Sequence, residues 1–92
     1  MKITVKFFGQ IRQAAGKPAE IVEMESPITP RDLVAQIARE NGDPLRSHLL
    51  GADGNLRSSL VLVVGDEQVD LDSAVPLRDG DELTILPPIA GG

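Results

Sequence analysis

The residues with the clearest chemical use stand at the end of the sequence, where Pro87-Pro88-Ile89-Ala90 leads into Gly91-Gly92. Two prolines block continuation of a strand and hold the residues after them extended. Two glycines add no side chain and leave the backbone wide freedom. A terminal carboxylate on Gly92, ionised at neutral pH with a pKa of about 3.3–3.7, is expected to thread a narrow channel into another protein's active site. There it can attack the α-phosphate of ATP and become an acyl-adenylate. The activated carbonyl then accepts sulfur, giving a thiocarboxylate, or an amine, giving an amide. Gly92 is therefore the candidate reacting group, and Gly91 the residue that gives it access.

The other residue types mostly exclude chemistry. There is no cysteine, so disulfides, thiolate metal sites and a thiol nucleophile are ruled out. The single histidine, His48, has no second histidine to form a dyad or a metal pair with and is expected in a loop or on the surface. Asp70-x-Asp72 lacks the full loop of oxygen ligands that a calcium site needs, so no metal is expected. Gly51-Ala52-Asp53-Gly54 lacks the Lys-Ser/Thr of a phosphate loop and is a turn.

A length of 92 residues, 41% hydrophobic and 25% charged, fits one compact domain rather than two, and argues against disorder. The formal net charge of -5 disfavours phosphate backbones, and an absence of Trp and Tyr removes the usual stacking platforms, so no nucleic acid is expected. Residues 1–46 carry +1 and residues 47–92 carry -6, so a partner meeting the second half is expected to be basic. The acids assigned to that attraction are Asp66, Glu67, Asp79, Asp81 and Glu82. No apolar run approaches the roughly 18 residues of a membrane helix, and Met1-Lys2-Ile3 leads straight into alternation with no export signal. A cytoplasmic protein without a membrane partner is the expectation.

These groups need elements to position them. Lys2 to Phe7 alternates with period two, as a half-buried strand does, and Phe8 breaks the pattern by setting an aromatic ring on the polar face. Gln10 to Ala15 has room for one or two helical turns closed by Gly16. Glu20 to Glu25 reads as a second strand, antiparallel to the first. Thr29 as N-cap, Pro30 at the first position and Asp32 in the first turn start the main helix. Leu33, Val34, Ile37 and Ala38 give it one apolar face, and Gly42 and Pro44 end it. Residues 45–58 show no clear period. Leu60 to Val64 is apolar on both faces, as in a strand buried on both sides or one keeping a face for a partner. Gly65-Asp66 turns into Glu67-Gln68-Val69, and Asp79-Gly80 turns into a last strand, Glu82 to Leu86. The expected order is β-β-α-β-β-β, an α+β arrangement. The first and last strands lie side by side in parallel, and the main helix packs across one face of a mixed sheet.

Two stretches carry a resemblance. Phe7-Phe8-Gly9-Gln10-Ile11-Arg12-Gln13-Ala14-Ala15-Gly16 is similar to the segment after the first strand of the ThiS/MoaD sulfur carriers. Leu77-Arg78-Asp79-Gly80-Asp81-Glu82-Leu83, followed by Leu86 to Gly92, resembles their C-terminal signature. The Pro-Pro pair and the length favour the MoaD side, the small subunit of molybdopterin synthase. The resemblance implies a ubiquitin-like β-grasp fold of four to five strands over residues 1–86, with 87–92 as a flexible tail. It implies a non-catalytic accessory subunit or co-substrate with no bound cofactor. ATP is used by its activating enzyme, an E1-like adenylyltransferase, which adenylates Gly92 before thiocarboxylation. Further implied partners are a MoaE-like molybdopterin synthase large subunit and a sulfur donor such as a cysteine desulfurase or rhodanese-like protein. Sulfur would then pass to a pterin precursor in molybdenum or tungsten cofactor biosynthesis.

Phe8 and Leu86 match exposed apolar positions at which the family meets its partners. Leu62 or Val64 is expected to extend that patch, and Pro87, Pro88 and Ile89 to continue it along the tail. Where relatives carry a leucine near the second hairpin, this chain has Gln68. Leu50 to Leu56 lengthens the chain beyond the compact bacterial carriers and is more like archaeal ubiquitin-like modifiers and the carriers of cysteine pathways. Three alternatives stay open. One is a modifier that forms isopeptide bonds to lysines. Another is a sulfur carrier for thiamine, cysteine or tRNA thiolation. The third is a passive β-grasp interaction domain whose terminal glycines are incidental.

Overall fold

A computed structural model of the chain describes residues 1–88. The elements are β1 (Lys2–Phe7), α1 (Gly9–Ala15), β2 (Ala19–Glu23), α2 (Pro30–Asn41), α3 (Leu45–Leu49), β3 (Val61–Val64), β4 (Glu67–Val69) and β5 (Glu82–Leu86). All five expected strands form. They make one mixed sheet in the order β2-β1-β5-β3-β4. The first and last strands are parallel neighbours, with Val5 opposite Leu83 and Phe7 opposite Ile85. β2 pairs antiparallel to β1, and β3 antiparallel to both β5 and β4.

Because side chains alternate along a strand, the register sorts residues onto two faces. Ile3, Val5, Phe7, Leu62, Leu83 and Ile85 are all at most 1% exposed and share the inner face. The main helix forms over the expected residues. The Thr29 hydroxyl accepts the Asp32 N–H at 3.3 Å, Pro30 opens the first turn, and Gly42 closes the end with φ 66°. Its stripe Leu33, Val34, Ile37 and Ala38 is fully buried in the same core as the inner sheet face. Leu77, carried by the long connection to β5, is tied in by its N–H to the Ile28 carbonyl at 2.8 Å and completes that core.

The stretch expected to lack regular structure contains one further element. Leu45 and Leu49, four residues apart, are buried on α3, which packs against both α1 and α2. Five residues hold too little periodicity to be seen in sequence, and Pro44 before them supplies no side-chain cap. No helix among the described residues is long and apolar enough to cross a membrane.

Candidate functional site

β5 is the middle strand, so Leu86 and the step into Pro87 leave the sheet between β1 and β3. The Phe8 N–H donates to the Ile85 carbonyl at 3.3 Å, extending the parallel register by one residue and setting Phe8 beside Leu86. On the other side Val61 pairs directly with Leu86. Phe8, Leu86 and Val61 therefore form an apolar row across the outer face, at the end of the sheet from which the chain departs. Phe8 is 47% exposed. Leu86, Val61 and Pro87 are half-buried, and Pro88 is exposed.

The expectation for Leu62 is corrected here. Its side chain is 0% exposed and sits opposite Ile85 on the inner face, so it offers a partner no surface. Val64 likewise pairs with core Leu83 and packs against the core. The outward residues of β3 are Val61 and Val63. The run Leu60 to Val64 has no polar alternation, so the phase of the strand could not be read until its register to β5 was known. Gln68 pairs with Val63 and lies on the outer face, in line with Thr84. A Lys6–Glu82 ion pair at 2.9 Å crosses β1 and β5 on the same face, below the apolar row.

Gly9 positions the start of the tail. It has φ 55°, in the left-handed region, and a Cβ there would come within 2.9 Å of Pro87 Cγ. Only a residue without a side chain satisfies both conditions. α1 can then begin directly against the Pro87 ring. Beside this contact the tail base borders a groove that includes Gln10, His48 and Arg57. The remaining candidates, Ile89, Gly91 and Gly92, lie outside the described residues.

The acids are elsewhere. β3 and β5 run antiparallel, so the Gly65-Asp66 turn and the 78–81 turn stand at the end of the sheet opposite the tail. Asp79 Oδ1 accepts the Lys2 N–H at 2.7 Å and Asp81 Oδ2 accepts the Arg78 N–H at 2.7 Å, so both carboxylates brace that turn. Glu82 is engaged by Lys6, and Asp72 pairs with Arg31 at 2.6 Å. No group of three or more metal-ligating side chains occurs among the described residues. In the 50–56 loop, Leu50 bridges Leu56 and the Asp53 carboxylate accepts the Asn55 N–H at 3.0 Å. The backbone and side chain of Asn55 together hold the Asp53 carboxyl below its ordinary range.

Comparison with known proteins agrees with this architecture. The model of the ThiS family matches residues 5–92. The molybdopterin synthase sulfur carrier subunit of Drosophila melanogaster is 30% identical over 95 aligned residues, covering 100% of this chain and 92% of that protein. Small archaeal modifier protein 3 of Haloferax volcanii is 32% identical over 94, covering 100% of both. Among solved structures, SAMP1 of Haloferax volcanii superposes with a TM-score of 0.85 at 25% identity, over 100% of both chains. A chain of the Amycolatopsis orientalis BexX/CysO complex gives 0.65 at 26% identity, over 98% of this chain and 99% of that one. Structural relatives thus include proteins solved together with a second protein. With its five-stranded mixed sheet and the main helix across one face, the chain has the ubiquitin-like β-grasp fold and belongs to the ThiS family.

Proposed function

We propose that this protein is a sulfur carrier whose working group is the carboxyl of Gly92, activated and loaded by partner enzymes. In the first step a carboxylate oxygen attacks the α-phosphorus of ATP held by an E1-like adenylyltransferase, and pyrophosphate leaves. In the second the terminal sulfur of a persulfide, carried by a sulfur donor such as a desulfurase or rhodanese-like protein, attacks the acyl carbon, and AMP departs with the electrons of the broken bond, leaving an acyl disulfide. A thiol reductant then attacks the donor's sulfur, forming a disulfide with it and releasing the thiocarboxylate. In the third the loaded chain docks on a larger subunit of the molybdopterin synthase type and gives sulfur to a pterin precursor. ATP belongs to the activating enzyme, and this chain needs no cofactor of its own.

The observation that carries the reading is the apolar row Phe8, Leu86 and Val61 beside the point where β5 gives way to Pro87-Pro88. A partner seated on that row stands next to the root of the tail. The four residues after Pro88 add at most about 14 Å of reach, enough to enter a buried site in a partner held there. The molybdopterin assignment rests on relatives that carry that name, among them the Drosophila melanogaster subunit.

A second reading has its own support, since two relatives from Haloferax volcanii are called small archaeal modifiers. In it the same acyl-adenylate is attacked by a lysine amine and an isopeptide forms. Intact-mass measurement after incubation with a cognate E1-like enzyme, ATP and a sulfur donor separates the two. One sulfur-for-oxygen exchange on the free chain supports the carrier. Covalent ladders on other proteins support the modifier. An unchanged mass, with the enzyme active on a control carrier, refutes both.

A further inference from the structure

The protein is acidic as a whole, yet the groove system beside the tail base is basic. Arg57 and His48 border the groove that meets Pro87 and Pro88, and Arg46 and Arg57 frame the adjoining groove against Leu50 and Gly51. No Asp or Glu lines either groove. The two nearest acids in sequence are engaged within their own loops. Asp43 accepts the Ser47 hydroxyl at 2.5 Å, and Asp53 accepts Asn55. Among the described residues neither arginine belongs to an ion pair.

Arg57 is also held in place. Its backbone N–H donates to the Leu49 carbonyl at 2.9 Å and its Nε–H to the Ser47 carbonyl at 2.7 Å. The side chain is fixed at Nε, and among the described residues its two terminal nitrogens have no hydrogen-bond or ion-pair partner. A guanidinium presents those donors in a plane that matches a carboxylate, and fixing it beforehand removes much of the ordering cost of binding.

We propose that this groove pair docks an acidic segment of a partner protein, with glutamate or aspartate carboxylates on Arg57 and Arg46, laid alongside the root of the tail. Charge complementarity selects the occupant. This reverses the expectation from the charge of the second half of the sequence. Asp79 and Asp81 of that half brace a turn at the far end of the sheet, whereas the grooves beside the tail root are lined by Arg46, His48 and Arg57 and by no carboxylate side chain. The groove chemistry does not depend on what becomes of Gly92, so it and the sulfur-carrier reading stand or fall separately.

The test uses the full-length 15N-labelled protein titrated with a hexaglutamate peptide at low salt, with a hexalysine peptide and sodium tripolyphosphate as comparisons. The expected result is saturable shifts at Ser47, His48, Arg57 and Ser59 with hexaglutamate alone, weakening as salt rises. Arg46→Gln and Arg57→Gln are each expected to weaken binding by about threefold to tenfold, the scale of an exposed to partly desolvated charge-assisted contact. Arg57→Lys keeps the charge but loses the Nε anchor and the planar fork, and should fall between. Arg46 is exposed and makes no side-chain hydrogen bond among the described residues, so Arg46→Gln reports on binding even if changes at Arg57 disturb the fold. Binding undiminished in Arg46→Gln, shifts centred away from the groove, or a response to tripolyphosphate but not to hexaglutamate would each overturn the proposal.

Discussion

Replacing Gly9 by alanine tests whether the tail root is held by the fold. Two costs fall on that one methyl group. The first is conformational, because a non-glycine residue at φ 55° is disfavoured by about 1–2 kcal/mol. The second is steric: the new Cβ would stand 2.9 Å from Pro87 Cγ, whereas ordinary contact begins at 3.4 Å, so a proline ring must retreat by about half an ångström. Inserting a methyl into a filled space typically costs about 1–3 kcal/mol. Gly16 supplies the control, with φ 76° and nothing within 4 Å of an added methyl. Gly16→Ala should therefore lose about 1–2 kcal/mol and Gly9→Ala about 2–5 kcal/mol, and each kcal/mol lowers Tm by about 4–8 °C in a domain of this size.

Pro87 has one way to escape the clash, which is to swing outward. The stability loss then shrinks toward the Gly16 value while the tail leaves in a different direction. Urea unfolding read beside the rate of adenylation by the cognate E1-like enzyme separates these outcomes. A double-mutant cycle with Pro87→Ala adds an internal check. Deleting the ring carbons removes the clash, so Gly9→Ala should cost about 1–3 kcal/mol less in that background. Equal stability and equal adenylation for Gly9→Ala and Gly16→Ala, with no coupling to Pro87, would refute the idea that α1 positions the tail.

Adjacent residues of β3 should separate fold from docking. Leu62→Ala empties a fully buried site and should cost about 2–5 kcal/mol, whereas Val61→Ser should change stability by under about 1 kcal/mol and weaken binding to the proposed larger subunit, read by calorimetry. Phe8→Ser should weaken the same binding with little change in Tm, while Ile21→Ser, 67% exposed but on edge strand β2, should leave it unchanged; the opposite pattern would move the docking surface to that edge. The Asp53 carboxyl, held below its ordinary 3.8 by Asn55, contributes stability that is complete above pH 3.8 and fades as pH falls through the lowered folded value. An NMR titration midpoint for Asp53 at or above 3.8 would contradict that sign.

How far the sequence announced all this depends on whether the deciding interaction is local. Thr29, Pro30, Asp32 and Gly42 act within one turn of their own helix, so α2 could be placed to its ends. Phe8 was legible because a ring on the polar side of an alternating strand is a local violation, and it is indeed the exposed one. Leu62 was misplaced because five consecutive apolar residues carry no phase, and only the ladder to β5 supplies one. The Gly9–Pro87 contact joins positions at opposite ends of the sequence, and nothing beside either residue foretells it. The basic grooves draw on α3 and the 50–59 stretch, where the sequence has no period and the arginines look like scattered surface charge.

The place of β5 in the sheet links these observations. An edge strand frays readily because one row of its backbone groups is unpaired. β5 is hydrogen-bonded on both sides, to β1 and to β3. The same two neighbours provide the outer row, since Phe8 follows β1 and Val61 opens β3. The residues a partner would grip and the strand that launches the tail are thus parts of one ladder, and an error in one cannot accumulate independently of the other. A group that must arrive in a partner's site gains most when its anchor and its docking surface are fixed together, because orientation is then set before the reactive group is engaged. The proposed carrier role asks no side-chain chemistry of a small domain with no buried polar side chain among its described residues. What it must supply is a rigid point of departure, and the two-sided pairing of β5 with the Gly9–Pro87 contact supplies it.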